Sequence, residues 1–225
     1  MTFTLIAEAA QPHTGWLTGV LLEFARGGAE WILWLLLILG VASFVVFFER
    51  LFFYQRTKVD AEALRQTLLR HLGERDIDAA LEGLKGQDAM EARVVAYGLR
   101  EAERGPDAVL ELARGALGTE KLRYERGLNV LATVGSNAPF VGLFGTVMGV
   151  IMAFDQLRGI GDAGADSSSA VMGAIAEALI ATGVGLLVAI PAIIFFNVAK
   201  ATVKRRVSST QLLVETTTAL LRPQA

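Results

Sequence analysis

Glu177 is the residue in this sequence whose type and position point most directly to chemistry. It is the only ionisable side chain between Asp166 and Lys200, in a stretch that is otherwise mostly apolar. About 20 apolar residues cross the ~30 Å hydrocarbon core of a bilayer, and a charge near its centre costs roughly 2.5 to 3.5 kcal/mol. A carboxyl group kept there faces a protein interior or a water-filled path, where it can hold and release a proton near neutral pH. A buried structural hydrogen bond is the alternative, and proton transfer is the hypothesis that we favour.

Hydroxyl and amide side chains are the other polar groups of the long apolar stretches, and two interpretations are open for them. They are Thr133, Ser136, Asn137, Thr146, Thr182 and Asn197. Serine and threonine in membrane helices often bond back to carbonyl groups of their own helix. Alternatively, some of these groups hold water or share the proton of Glu177. Because Thr182 lies roughly 140° around an ideal helix from Glu177, we expect it to serve a neighbouring subunit or the other side of a pore.

The composition predicts which elements position these groups. The 225 residues are 53% hydrophobic, with a net charge of −2 and a mean hydropathy of +0.46, which is too apolar for an ordinary soluble domain. Three apolar blocks exceed the spanning length, at residues 31–54, 130–157 and 168–200. The sequence therefore predicts an all-α integral membrane protein with three transmembrane helices. It contains no cysteine, and neither histidine lies in a block, so we expect no enzyme activity, cofactor or metal site.

Basic residues predict the orientation, because lysine and arginine near the ends of spans stay in the cytoplasm. Thirteen of them lie between residues 55 and 127 and five after residue 199, but only two lie elsewhere outside the blocks. The predicted segments are a periplasmic N-terminal segment (1–28), transmembrane helix 1 (29–54), a cytoplasmic helical segment (55–127), transmembrane helix 2 (128–157), a periplasmic loop (158–167), transmembrane helix 3 (168–199) and a cytoplasmic C-terminal helix (200–225).

Small residues form strips along the second and third blocks. The strips contain Gly135, Gly142, Gly145 and Gly149 in the second block and Ala174, Ala181 and Gly185 in the third. In a membrane such strips let helices pack closely, because their association depends on van der Waals contact and interhelical hydrogen bonds. Glu177 lies within the second strip, so we expect its carboxylate to face a packed neighbour. Pro139 and Pro191 each remove a backbone hydrogen bond, and we expect both to kink their helices.

The stretch from Asp60 to Arg126 is charged and carries apolar residues at helical spacing. This pattern predicts several short helices and one longer helix that runs into the second block. The predicted helix starts are Asp76, Asp107 and Thr119, and the predicted breaks are Gly73, Gly86 and Gly105-Pro106. The mixed charges indicate a solvated face, and Glu49 with Arg50 indicates a surface ion pair or an interface anchor. No nucleotide-binding motif is present, and we expect no nucleic acid partner.

Two long motifs closely resemble the core helices of the ExbB/TolQ family, which includes MotA-like stator subunits of ion-driven motors. They are LATVGSNAPFVGLFGTVMGV and IAEALIATGVGLLVAIPAIIFFN. The resemblance implies a bacterial inner-membrane proton channel unit, surrounded by lipid, that forms a ring, with a pentamer expected. The ring would surround an ExbD/TolR-like partner, which has a single span with an aspartate in it. The resemblance further implies that Thr146, Glu177 and Thr182 line the ion path.

The sequence leaves the subfamily open. Met148 stands where family members often have an aromatic residue, and the loop RGIGDAGADSSS is rich in glycine and serine. The segment before the first block favours an ExbB-like role, in which nutrient uptake is driven through a TonB-like protein. The alternatives are a TolQ-like subunit for envelope integrity with a TolA-like protein, a gliding motor subunit, or a passive membrane scaffold without proton conduction. Three spans argue against MotA itself, whose subunits carry four.

Overall fold

The computed structural model describes Trp16, residues 30–158 and residues 164–222, and this part of the chain is helical apart from short connections. The predicted segment 1–28, apart from Trp16, and residues 159–163 of the predicted loop 158–167 lie outside it. The helices are α1 (Glu30–Arg56), α2 (Ala61–Gly73), α3 (Ile77–Leu84), α4 (Met90–Leu99), α5 (Pro106–Glu125), α6 (Leu128–Arg158) and α7 (Gly164–Leu221), with a short 3-10 helix at Ala102–Arg104. Among the described residues, three helices, α1, α6 and α7, include stretches long and apolar enough to cross a membrane.

The helix boundaries between residues 60 and 128 follow local signals. The Asp76 carboxylate accepts a hydrogen bond from the backbone N–H of Ala79 (2.8 Å) at the start of α3, which confirms this predicted N-cap. Asp107 lies in the first turn of α5, directly after Pro106, as predicted for a helix start. Thr119 was a wrong prediction, since it lies inside α5, where its hydroxyl donates to the Gly115 carbonyl oxygen (3.4 Å).

One of the predicted helix connections differs from the structure. The longer helix predicted to run into the second block is interrupted, because α5 ends at Glu125 and α6 begins at Leu128. Between them Gly127 has φ 78°, a left-handed conformation that glycine adopts without the steric cost of a Cβ atom. In contrast, the third apolar block and the predicted C-terminal helix form one uninterrupted helix, α7, of 58 residues.

The chain divides into two compact units, one formed by Met1–Leu39 with Ser136–Ala189 and the other by Gly40–Gly135 with Ile190–Ala225. The second unit contains a core of leucine, valine and alanine side chains around Tyr124, which is fully buried. The Tyr54 hydroxyl donates to the Tyr124 carbonyl oxygen (2.9 Å), and the Tyr124 hydroxyl accepts from the Met90 N–H (3.1 Å). These bonds fix α1 and α4 against the end of α5.

Most charged side chains between residues 60 and 126 are exposed, which agrees with the predicted solvated face, but Glu91 and Glu120 are buried. Arg50 forms the ion pair with Glu49 but is buried, with its guanidinium 5.0 Å from the Phe53 ring centre. Arg123 donates to Asp88 (2.7 Å), and this hydrogen bond lowers the pKa of the Asp88 carboxyl. The apolar spacing located the helices, but it did not reveal which charges would be enclosed when they packed.

The most enclosed of these charges is Glu91, which is 1% exposed and forms an ion pair with Arg206 (3.1 Å) that joins α4 to α7. We expect Arg206→Met to destabilise the chain by about 2 kcal/mol, because the carboxylate left behind is buried without its partner. Replacing Glu91 with Met as well should recover most of that loss. Thermal unfolding of the two single variants and the double variant in detergent measures the coupling.

The control for this cycle is the exposed ion pair Lys85–Glu82 (3.1 Å), whose side chains are both more than 70% exposed. Lys85→Met should change the free energy of unfolding by less than about 1 kcal/mol, as for other solvated pairs. Equal decreases in the free energy of unfolding for Arg206→Met and Lys85→Met would show that the buried Glu91–Arg206 pair contributes no more to stability than an exposed pair.

Candidate functional site

The first unit places Glu177 at the edge of a close contact between α6 and α7. The carboxylate side chain is half-buried, whereas Ala174, Ala178 and Ala181 on the same part of α7 are buried. Within the described part of the chain, the Glu177 carboxylate has no hydrogen bond or ion pair. The Glu177 side chain is therefore partly enclosed by its own chain and partly exposed.

Glycines of α6 let the turn that carries Glu177 approach closely. A Cβ atom added at Gly149 would lie 3.1 Å from the Ala174 carbonyl oxygen and 3.2 Å from the Ala178 Cα, and it would overlap the Ala178 Cβ. A Cβ atom at Gly145 would lie 2.6 Å from the Ala181 Cβ. The residues of α6 that contact the turn around Glu177 are therefore glycines, because a larger residue would overlap with α7.

One turn further along α7, the two helices meet backbone to backbone. A Cβ atom at Gly142 would lie 2.8 Å from the Ala181 carbonyl oxygen and 3.0 Å from the Thr182 Cα, and one at Gly185 would lie 2.7 Å from the Ala138 carbonyl oxygen. The structure thus brings together Gly142, Gly145, Gly149, Ala174, Ala181 and Gly185 in one contact. Gly135 belongs to the second unit, where it faces Ile193 of α7.

The two threonines of the predicted path have different partners. The Thr182 hydroxyl donates to the Gly142 carbonyl oxygen (3.0 Å) across the α6–α7 contact, and the Thr146 hydroxyl donates to the Leu143 carbonyl oxygen (2.7 Å) of its own helix. Thr146 therefore shows the local bonding that is common for such residues. Thr182 bonds within its own chain, and its predicted role toward a neighbouring subunit or a pore stays a prediction. Among the described residues, neither hydroxyl bonds to Glu177.

The prolines lie inside α6 and α7, and the structure assigns both helices without interruption at Pro139 and Pro191. Kinks at these positions stay predictions. In the ranges 30–158 and 164–222, no cluster of three histidine, aspartate or glutamate side chains is placed to hold a metal ion.

Glu177 is thus a half-buried carboxylate at a close contact between two apolar helices, a position that marks a candidate functional site in a membrane protein. Comparison with known families is specific: residues 86–211 match the MotA/TolQ/ExbB proton channel family. Because this match covers more than half of the 225 residues, the chain belongs to that family. The match contains α6 and the part of α7 that carries Glu177 and Thr182.

Individual relatives come from both of the subfamilies that the sequence suggested. The Tol-Pal system protein TolQ of Pseudomonas aeruginosa is 47% identical over 96 residues, 41% of this chain and 40% of its own length. The biopolymer transport protein ExbB of Xanthomonas campestris is 44% identical over 100 residues, 44% and 38% of the two lengths. ExbB of Neisseria gonorrhoeae is 49% identical over 75 residues, 33% of each. The chain therefore matches less than half the length of these relatives.

Proposed function

We propose that this chain is the proton-conducting subunit of an energy-transducing motor in a bacterial inner membrane. The observation that carries the proposal is the position of Glu177, half-buried and without a bonded partner among the described residues, at a contact made tight by glycine. Its carboxyl group is able to accept and release a proton, whereas a purely structural carboxyl group would be held by hydrogen bonds. Membership in a proton channel family supports this role.

The proposed assembly is a ring of this chain, with five copies expected, around an ExbD/TolR-like partner that has an aspartate in its single span. Protons would move between the ring and the partner, whose aspartate would be alternately protonated and released, while Glu177 with Thr146 and Thr182 would form the polar path. A potential of 100 mV supplies about 2.3 kcal/mol for each elementary charge moved. That energy is sufficient to bias stepwise movement of one element against another. Thr146 and Thr182 would shape the polar path through their acceptor oxygens, since both hydroxyl protons are donated to carbonyl groups.

The work that the motor drives has two candidates. We propose an ExbB-like role in transport through a TonB-like protein, which the sequence before α1 favours and the ExbB relatives support. The TolQ relative supports the second candidate, a Tol-Pal role in envelope integrity. The proposed orientation, with residues 55–127 and the C-terminal part of α7 in the cytoplasm, rests on the distribution of basic residues.

Co-purification from the native membrane tests this proposal. The tagged full-length chain should retain a small single-span companion with an intramembrane aspartate, at a fixed ratio that mass spectrometry of the intact complex measures. The companion's sequence distinguishes an ExbB-like from a TolQ-like system. A ring without a companion, or a companion without a protonatable residue in its span, would contradict the motor and leave a channel or a passive scaffold.

A further inference from the structure

The second unit contains a cavity of about 450 Å³ between α1 and α7 that the proposed proton path does not use. Four basic side chains, Arg50, Lys58, Arg205 and Arg206, contribute to its lining. The only acidic side chain in the lining is Glu91, and its carboxylate is already bonded to Arg206 (3.1 Å). The cavity therefore has a surplus of positive charge and favours an anionic ligand.

Two of the four cations are available to such a ligand. Arg50 is engaged by the Glu49 carboxylate and by the Arg123 carbonyl oxygen (3.3 Å), and Arg206 is engaged by Glu91. Lys58 and Arg205 are exposed, and neither forms an ion pair with any described residue. Lys58 lies in the connection that follows α1 and Arg205 lies in α7, so together they provide a two-sided binding position for a phosphate group.

The rest of the lining is apolar. Phe47 and Leu51 of α1 face the cavity together with Val198 and Ala199 of α7 and Leu131 of α6. Arg50 lies between Phe47 and Leu51 in α1, Lys58 follows the end of α1, and Arg205 follows Ala199 in α7. A free inorganic anion would leave this apolar wall in contact with water, whereas a molecule with a charged head and a hydrocarbon chain would cover it.

We propose that this cavity binds an anionic phospholipid, with its phosphate between Lys58 and Arg205 and an acyl chain along Phe47, Leu51 and Val198. Basic pockets between membrane helices at the cytoplasmic side are suited to acidic lipid headgroups. The site is separate from Glu177, and the inference does not depend on proton conduction. Its occupant would join α1 to α7 through charge as well as through apolar contact.

Native mass spectrometry of the intact chain in detergent, titrated with dioleoylphosphatidylglycerol, tests this site. The wild-type chain should retain one phosphatidylglycerol per chain in preference to phosphatidylcholine and to glycerol 3-phosphate, which has the headgroup phosphate but no acyl chain. Lys58→Gln with Arg205→Gln should weaken phosphatidylglycerol binding about 30-fold, which corresponds to ~1 kcal/mol for each basic side chain lost.

The matched control is Arg56→Gln with Lys204→Gln. It removes the same total charge from positions close in sequence to Lys58 and Arg205, but neither replaced residue lines the cavity. Binding should stay within about twofold of wild type, since the cavity keeps both of its available cations. The conservative pair Lys58→Arg with Arg205→Lys should also retain binding. All four replaced residues are exposed, so the thermal unfolding midpoints should not change.

Three results would overturn the proposal. The first is equal phosphatidylglycerol binding by the wild type and by the Lys58→Gln, Arg205→Gln variant. The second is equal binding of phosphatidylcholine or of glycerol 3-phosphate, which would indicate a non-specific apolar groove or a site for a soluble phosphate ester. The third is a photo-crosslink from p-benzoylphenylalanine at Gln55, an exposed lining residue, that captures a second copy of the chain and no lipid.

Discussion

Glu177→Gln is expected to lower proton flux through the assembled complex by about 100-fold or more while leaving the fold intact. Glutamine has nearly the same volume as glutamate and can form hydrogen bonds, but it cannot release a proton. Because the Glu177 side chain is half-buried and has no hydrogen bond or ion pair in the described part of the chain, its replacement breaks no contact that the structure shows. The measurement is dye-detected acidification of proteoliposomes that hold the complex purified from its native membrane, under an imposed potassium potential.

Glu215→Gln is the matched control, because Glu215 is an exposed carboxylate on the same helix, α7, beyond its apolar part. It should conduct like the wild type. Glu177→Asp, which keeps the carboxyl group but withdraws it by one methylene, should keep measurable flux. Wild-type flux in the Glu177→Gln variant would show that the path does not run through this residue. If the Glu177→Gln variant does not assemble, so that no complex forms in which proton flux can be measured, Glu177 has a structural role instead.

The elements of this fold could be predicted from sequence wherever one local signal decides the outcome. Long apolar blocks located α1, α6 and the first part of α7, and the Asp76 carboxylate marked the start of α3 as predicted. The interruption at Gly127 was missed because a single glycine is compatible with a helix interior as well as with a break. The left-handed backbone of Gly127 (φ 78°) is what marks the break.

Contacts between distant residues could not be predicted in the same way. Helical geometry shows that Thr182 and Glu177 lie on different faces, but it does not show which helix covers each face, so the bond from Thr182 to Gly142, 40 residues away, was missed. The Glu91–Arg206 pair spans 115 residues, and both partners lie in sequences whose mixed charge is typical of a solvated surface. Glu177 itself could be identified from sequence, because a single carboxylate in an apolar helix is unusual whatever residues pack around it.

The α6–α7 contact leads to the second large effect: Gly185→Leu is expected to prevent the two helices from packing. At Gly185 even a single added carbon would lie 2.7 Å from the Ala138 carbonyl oxygen and 3.0 Å from the Gly142 Cα. Both are backbone atoms, which cannot move aside as a flexible side chain can. Gly185→Ala should therefore cost about 1 to 3 kcal/mol, and Gly185→Leu should cost more than that and lower the yield of folded protein.

Gly183 provides the control, since it lies two residues earlier on α7 and a Cβ atom added there meets nothing within 4 Å. Gly183→Ala should be neutral or should stabilise the helix by up to about 1 kcal/mol, and Gly183→Leu should remain folded. Thermal unfolding midpoints of the four variants in detergent compare the two positions directly. Equal losses at Gly183 and Gly185 would mean that helix composition, and not the approach of α6, sets the stability of this region. A lower unfolding midpoint for the Gly185 variants alone would establish the close α6–α7 contact that positions Glu177.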